Sequence, residues 1–309
     1  MTRSYLKLST LLLVKSNRSK DMASVNRDRL QKEGYSAPEN RFLDVEHVVG
    51  EITRETTDHL QRYTIGKILV LAVLAGAFIT FGALFSVLLS TGVKTVGLKL
   101  LMQGFGFSVG FFMVILSQAV LFTETNVVLP ASYLKCTRSD VAIGALKFWV
   151  LAIVGNAAGA FAVGVLLNFT QAFPIEIINN FSSVIDKKMS YMSGGTLAHW
   201  FQIVISGVFG NWMVGMAAIF ALMGRTIIGK YIPIFLLVTL FVAGNLQHSP
   251  ANMGYFSLAI PLGIGPGWDS AILWNLIPAA IGNVIGGTLL VALPFYYALN
   301  AEKGDAAKI

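Results

Sequence analysis

The sequence predicts an all-α integral membrane protein with six transmembrane helices, arranged as two inverted repeats of three, with the second and fifth spans broken. Three observations predict it. Charge is scarce: 13% of the 309 residues are charged and 55% are hydrophobic, against about 25% charged in soluble domains. Six apolar stretches are long enough to cross about 30 Å of hydrocarbon, which takes about 20 residues each. The two halves also share a motif, Gly155-Asn156-x-x-Gly159 and Gly282-Asn283-x-x-Gly286, each roughly 30 residues past a polar interruption.

A mean hydropathy of +0.67 excludes a chain of two soluble domains. The net charge of +7 is read as membrane topology rather than as nucleic-acid binding. One cysteine, Cys136, allows neither a disulfide framework nor a cysteine metal cluster, and it reads as a plain loop residue.

The chain divides into an arm (1–41), an amphipathic segment (42–62), a channel domain (63–299) and a tail (300–309). Met1–Lys20 has basic flanks around an apolar core, Leu11–Val14, too short for a signal peptide or a span. Met22 opens a polar stretch, so the first 21 residues are expected to be an unnatural or mispredicted extension. Leu43, Val45, Val48, Val49 and Ile52 share one helical face, which suits a helix lying on the membrane or a soluble stalk. The spans are expected near Thr64–Leu89, Leu101–Leu134, Val141–Leu167, Leu197–Met223, Tyr231–Ile260 and Ser270–Tyr297. Residues 168–198 form a mixed polar connector.

Charge placement orients the spans. With both termini and the 2–3 and 4–5 loops on one side, all but four of the 23 Lys and Arg residues fall there; Lys94, Lys99, Lys187 and Lys188 face the other way. Positive charge favours the cytoplasm, so both termini are expected there, in a cell (inner or plasma) membrane.

Three spans per half is an odd number, so the halves insert with opposite topology. The interruptions are Leu121-Phe122-Thr123-Glu124-Thr125-Asn126 and Leu246-Gln247-His248-Ser249-Pro250-Ala251-Asn252. Inverted repeats with discontinuous helices mark channels and transporters, with the pathway where the breaks meet. Lipid cannot satisfy free backbone groups, so such segments must line a wet cavity or be buried by protein. Pro250 lacks an N–H and disfavours helix at Ser249. Span two has no such proline, and its break is inferred from the pairing. The motif glycines read as close-packing positions.

His248 is the sharpest candidate for chemistry, because ionisable side chains at membrane depth are costly and usually functional. With an ordinary pKa near 6.5, imidazole exchanges protons at physiological pH. Neutral imidazole can also hydrogen-bond an anion or tie two broken helices together. Glu124, the one carboxylate inside a span, serves either as a proton relay or as a cap at a half-helix N-terminus. Thr123 and Asn252 offer donors or close the broken backbone. Phe107, Phe111, Leu121, Phe122 and Phe241 cluster at the breaks as packing residues or gates. Lys187 and Lys188 raise local anion concentration or are plain loop charges. No metal cluster, cofactor motif or enzyme motif is found, and no enzyme activity is expected.

Taken together, these segments resemble the formate/nitrite transporter family. Gln247-His248-Ser249-Pro250-Ala251-Asn252-Met253 is similar to its E-H-S-x-A-N-M segment. Leu121-Phe122-Thr123 is similar to its L-F-T loop. Gly282-Asn283-x-x-Gly286-Gly287, Ala75-Gly76-x-Phe78-Ile79 and Gly210-Asn211-Trp212-Met213-Val214 resemble its sixth, first and fourth spans. The resemblance runs from about residue 60 to 298. It implies an aquaporin-like fold, a homopentamer with one pore per protomer, and passage of formate, nitrite, hydrosulfide or related acids. It maps the central histidine onto His248 and the pore polar groups onto Thr123, Asn252 and Asn211. It places the constrictions at Phe107, Leu121 and Phe241 on one side of the histidine, with Phe111 and Phe122 as further candidates.

The sequence departs from the pattern. Gln247 and Val120 stand where acidic residues are usual, and Gly195 stands where the fourth-span lysine aligns without gaps. Lys187 or Lys188 could take that lysine's place if the connector carries an insertion. The mechanism this implies is passage of a small monovalent anion with a proton, formate first, between apolar constrictions beside His248, with the lipid bilayer as the other partner and no nucleic acid. The alternative is a neutral-solute channel for water or glycerol, which would want paired N-P-A loops; only Ser249-Pro250-Ala251-Asn252 approaches one.

Overall fold

The computed structural model describes residues 42, 43, 47, 48, 60, 62–135, 139–170 and 172–298, and all the regular structure among them is helical. The chain separates into Met1–Phe42 and Leu43–Ile309, and everything below concerns the second unit. The expected arm, Cys136 and the tail lie outside the described residues, as does most of the amphipathic segment.

Among the described residues the main helices are α1 Ile65–Ser90, α2 Val96–Ser117, α3 Phe122–Lys135, α4 Ser139–Thr170, α5 Ile175–Met189, α6 Leu197–Met223, α7 Ile227–Ala243, α8 Ser249–Ala259 and α9 Trp268–Ala298. α1, α2, α4, α6 and α9 are long and apolar enough to span a bilayer. α7, at 17 residues, reaches that length only when taken with α8 beyond its break. Five of the six expected crossings thus have a single helix of spanning length, and the expected fifth crossing would take α7 and α8 together.

Threonines start three of these helices. The side chains of Thr64, Thr196 and Thr226 accept the N–H of Lys67, His199 and Gly229, occupying a donor the first turn leaves free. α2 starts at Val96 rather than Leu101 and runs through Lys99. The connector holds one element the sequence did not show. α5 is amphipathic, with Asn180, Phe181, Val184, Ile185, Lys188 and Met189 buried.

Both expected breaks are present, and they end their helices alike. α2 terminates on Gln118 and α7 on Asn245, non-glycine residues in the left-handed region at φ 54° and φ 50°. The next N–H in each case reaches five residues back, from Ala119 to Val114 and from Leu246 to Phe241. This is the wrap that closes many helix C-termini. Gln118 and Asn245 stand 127 positions apart, as do Asn156 and Asn283.

The halves interlock. α1 packs on α2 and α4, α6 packs on α7 and α9, and α2 meets α7 across the middle. Each half-helix crosses into the other repeat, α8 against α1 and α4, and α3 against α6 and α9. The motif glycines make this possible. A Cβ at Gly159 would strike the carbonyl of Val73, and one at Gly286 the carbonyl of Val208. With no hydrophobic drive between helices in lipid, such close approach is what holds spans together. Large apolar side chains such as Val70, Leu166, Leu236 and Leu289 remain exposed on the outside.

Candidate functional site

Each break leaves backbone donors and acceptors at depth, and one asparagine per repeat satisfies them. Asn156 Oδ1 accepts the N–H of Phe122 at 2.9 Å, while Nδ2 donates to the carbonyls of Ala72 and Val120, both at 2.9 Å. Asn283 repeats the pattern. Its Oδ1 accepts from Ser249 N–H at 2.8 Å and from Ser249 Oγ at 2.9 Å, and its Nδ2 donates to Gly207 and Gln247 carbonyls at 2.9 Å. These two asparagines lie inside the Gly-Asn-x-x-Gly motifs, where the sequence offered only glycine packing. The equivalence also sets Leu121 of the first break opposite His248 of the second.

His248 is the N-cap of α8. The N–H of Ala251 donates to its Nδ1 at 3.2 Å. An Nδ1 that accepts carries no hydrogen, so the hydrogen of the neutral ring sits on Nε2. Nε2 lies 2.7 Å from Thr123 Oγ1, on α3. The ring therefore donates to the threonine oxygen, and the hydroxyl hydrogen of Thr123 is left for a third group. Among the described residues the backbone N–H of Thr123 has no recorded partner either, whereas Glu124 and Thr125 donate to the carbonyl of Leu121. α8 spends its first donors on Asn283, the His248 ring and the His248 carbonyl. Among the described residues, Thr123, which is fully buried, thus brings two free donors to the place where the breaks meet; Asn126, three residues on in the same break, is also buried with its side-chain amide unpartnered.

Aromatic rings cover the pair on one side. Phe107 of α2 meets Phe241 of α7 edge-on at 5.5 Å and stacks on Tyr255 of α8 at 5.9 Å; Phe241 lies 5.4 Å from the imidazole. Beyond the rings, on the side of the 3–4 connector, a cavity of about 50 Å³ is lined by Gln103, Lys187, Lys188, Phe241, Asn245 and Tyr255. On the side of the 4–5 loop, a cavity of about 110 Å³ is lined by Gln118, Leu121, Glu124, Thr125 and Lys230. Leu121, expected on the same side of the histidine as Phe107 and Phe241, thus lines the cavity at the other end. Phe111 joins the apolar cluster of Phe107, Leu121 and Phe241, while Phe122 packs in a separate cluster with Ile68, Ala72 and Phe148.

The remaining candidates are placed as follows. Lys187 is exposed and Lys188 is buried on α5. Outside the spanning helices, burial pushes the Lys188 amine down from 10.5 to about 7. Glu124 sits in the first turn of α3, where the helix dipole favours a carboxylate. Asn252 is buried, its Nδ2 donating to Gln247 Oε1 and Asn275 Oδ1. Asn211 does not meet His248; its Nδ2 donates to the carbonyl of Asn283 and braces α9. Among the described residues no group of three or more metal-binding side chains is found. Tyr255 and Asn275 escaped the sequence reading. Their positions next to the site depend on helix phase and on a π turn that no local signal announces.

A sequence model described as formate/nitrite transporter matches residues 46–297. The chain belongs to the formate/nitrite transporter family. A probable formate transporter of Methanothermobacter thermautotrophicus is 30% identical, over 77% of this chain and 90% of that protein. The formate channel FocA of Escherichia coli strain K12 is 29% identical, over 74% and 85%. A solved pentameric formate channel with formate bound superposes with a TM-score of 0.66 at 22% identity, covering 76% of this chain and 97% of that one; at that identity it speaks for the fold. These relatives are transporters and channels, and the inverted repeats and broken helices above are the architecture that this chain shares with the solved channel.

Proposed function

We propose that this family member conducts small monovalent weak-acid anions, formate foremost, with proton-linked passage at the Thr123–His248 pair. One observation carries the reading: the tautomer fixed by Ala251 leaves the hydroxyl hydrogen of buried Thr123 unspent, beside a backbone N–H of the same residue that also has no partner among the described residues. Two donors on one residue suit a carboxylate or nitrite oxygen better than water, which asks for acceptors as well.

The anion is gathered by Lys188 in the connector-side cavity, a cation in a low-dielectric mouth. Carrying a bare anion past Phe107 and Phe241 costs many kcal/mol. A proton taken up from the solution, at or before His248, removes that charge, and the neutral acid crosses. A second ring hydrogen on Nδ1 would face the Ala251 N–H, donor against donor, so a cationic ring must turn out of its cap. The pair therefore works as a neutral donor relay, His248 Nε2–H to Thr123 Oγ1 and Thr123 O–H to the passing oxygen. No covalent bond other than that to the proton is made or broken, so the protein acts as a conduit and not as an enzyme.

The charge distribution and the family relatives support a homopentamer in a cell membrane, with the termini and the 4–5 loop in the cytoplasm. In proteoliposomes, formate uptake should rise as the pH falls and should outpace acetate. His248→Phe should lose most of the flux and its pH response. Unchanged flux and pH profile in that variant would end the histidine's role, and water permeability without anion flux would favour the neutral-solute alternative.

A further inference from the structure

The connector-side mouth contains a neutral amide network that the conduction mechanism does not use. Asn275 is fully buried in the π turn Ile272–Leu276 of α9, and such turns recur at functional sites because they re-aim a side chain. Its Nδ2 donates to the carbonyl of Lys188 at 2.9 Å and to Gln247 Oε1 at 3.2 Å; its Oδ1 accepts from Asn252 Nδ2 at 2.6 Å. Asn252 Nδ2 also donates to Gln247 Oε1 at 2.9 Å, and Gln247 Nε2 donates to the carbonyl of Asn245. Asn245 Nδ2 in turn donates to the carbonyl of Lys187 at 3.2 Å. Two successive carbonyls at the end of α5, which have no helical partner, are thereby held by side chains from α9 and from the second break.

The network fixes the root of the Lys188 side chain. The amine lies 5.8 Å over the ring of Tyr255 and faces the same cavity as Phe241. Every group within the network is uncharged, and among the described residues no carboxylate pairs with Lys188.

We propose that Asn275 is a positioning residue that, through Gln247 and Asn252, seats α5 over the mouth and keeps the Lys188 charge uncompensated for incoming monovalent anions. This rests on the conduction reading. A carboxylate at position 247 would still accept from Asn252 and Asn275 but would give up the bond to the Asn245 carbonyl, and it would cancel the field at the mouth. Loss of Asn275 would free the end of α5 and let the lysine swing toward water.

The test uses the full-length protein in liposomes, with formate flux measured from the connector side in low and high salt. Salt shrinks the screening length from about 10 Å at 0.1 M to about 3 Å at 1 M. Wild type should therefore show a half-saturating formate concentration that climbs steeply with salt. Asn275→Leu and Gln247→Glu should each raise the low-salt value about fivefold, by loss of one aligned charge, and should flatten the salt dependence. Variants that keep the wild-type value and salt slope would overturn the proposal; if Asn275→Leu does not fold, Gln247→Glu alone decides.

A second arm is independent of what the channel carries. Backbone hydrogen exchange over residues 184–190 of the purified protein should speed up in Asn275→Leu, and clearly more than in Gln247→Glu, which keeps the Asn275 bond to the Lys188 carbonyl. Unchanged exchange in Asn275→Leu would remove its positioning role. If wild type passes no formate, the conduction reading falls while exchange still decides whether Asn275 seats α5.

Discussion

Replacing Asn156 with leucine tests whether the broken helices depend on their asparagine clamps. Leucine is close in size and more apolar, so lipid-like packing alone predicts little loss. The hydrogen bonds predict otherwise. Phe122 N–H and the Val120 carbonyl lose their partners, while the Ala72 carbonyl lies within α1 and keeps its helical role. A buried orphaned backbone group costs about 1–3 kcal/mol, so two cost about 2–6 kcal/mol. Side-chain hydrogen bonds in membrane proteins average only about 0.6 kcal/mol because the freed groups find other partners. Here Val120, Leu121 and Phe122 are all buried, which restricts the partners the freed groups can find. The larger figure should apply. Detergent-driven unfolding in mixed micelles, followed by circular dichroism, would measure it. Asn156→Asp, which keeps the acceptor and drops the donors, should fall between the leucine variant and wild type. A leucine variant within about 1 kcal/mol of wild type, with flux intact, would refute the clamp.

Three further outcomes are expected. Thr123→Val keeps the shape but removes the hydroxyl donor; a hydrogen bond to a charged group is worth about 1.5–3 kcal/mol, so formate flux should fall roughly 10- to 150-fold, and Thr123→Ser should restore most of it. The Lys188 amine, lowered by burial to about 7, is charged below that pH and neutral above it. Inhibition of formate flux by nitrate, which stays ionised throughout, should therefore weaken as the connector-side pH rises from 6 to 8, and this trend should vanish in Lys188→Met; Tyr255, whose hydroxyl donates to Ser86, and the exposed Lys187 also face that mouth. Gly159→Leu should block assembly of α4 on α1, seen as loss of the folded species on size exclusion, because its Cβ has no room beside Val73.

The fold was largely legible because hydrocarbon imposes a length and a polarity on every span. α6 falls on the expected residues Leu197–Met223; the break in span five was legible from Pro250, and the one in span two from its pairing with span five. What escaped was long-range. Asn156 and Asn283 look like ornaments on a glycine packing motif until the residues they bond, 36 or more positions away for Val120 and Gln247, are brought beside them. α5 hid in a polar connector because an amphipathic helix of 15 residues lacks the uniform apolar run that marks a span. His248 and Thr123 were singled out from their place in the breaks, but their tautomer and free donors depend on Ala251 N–H, which only the folded cap aims at the ring.

The two clamps also bear on directionality. Asn156 and Asn283 hold equivalent frames that point opposite ways across the bilayer, so the backbone scaffold itself does not distinguish import from export. Any rectification must come from the unequal side chains hung on that frame: imidazole against leucine at the paired break positions, and a buried lysine at one mouth against a glutamate at the other. Reversing the preferred direction of flow would then be a matter of exchanging a few side chains between mouths, with the helices left as they are.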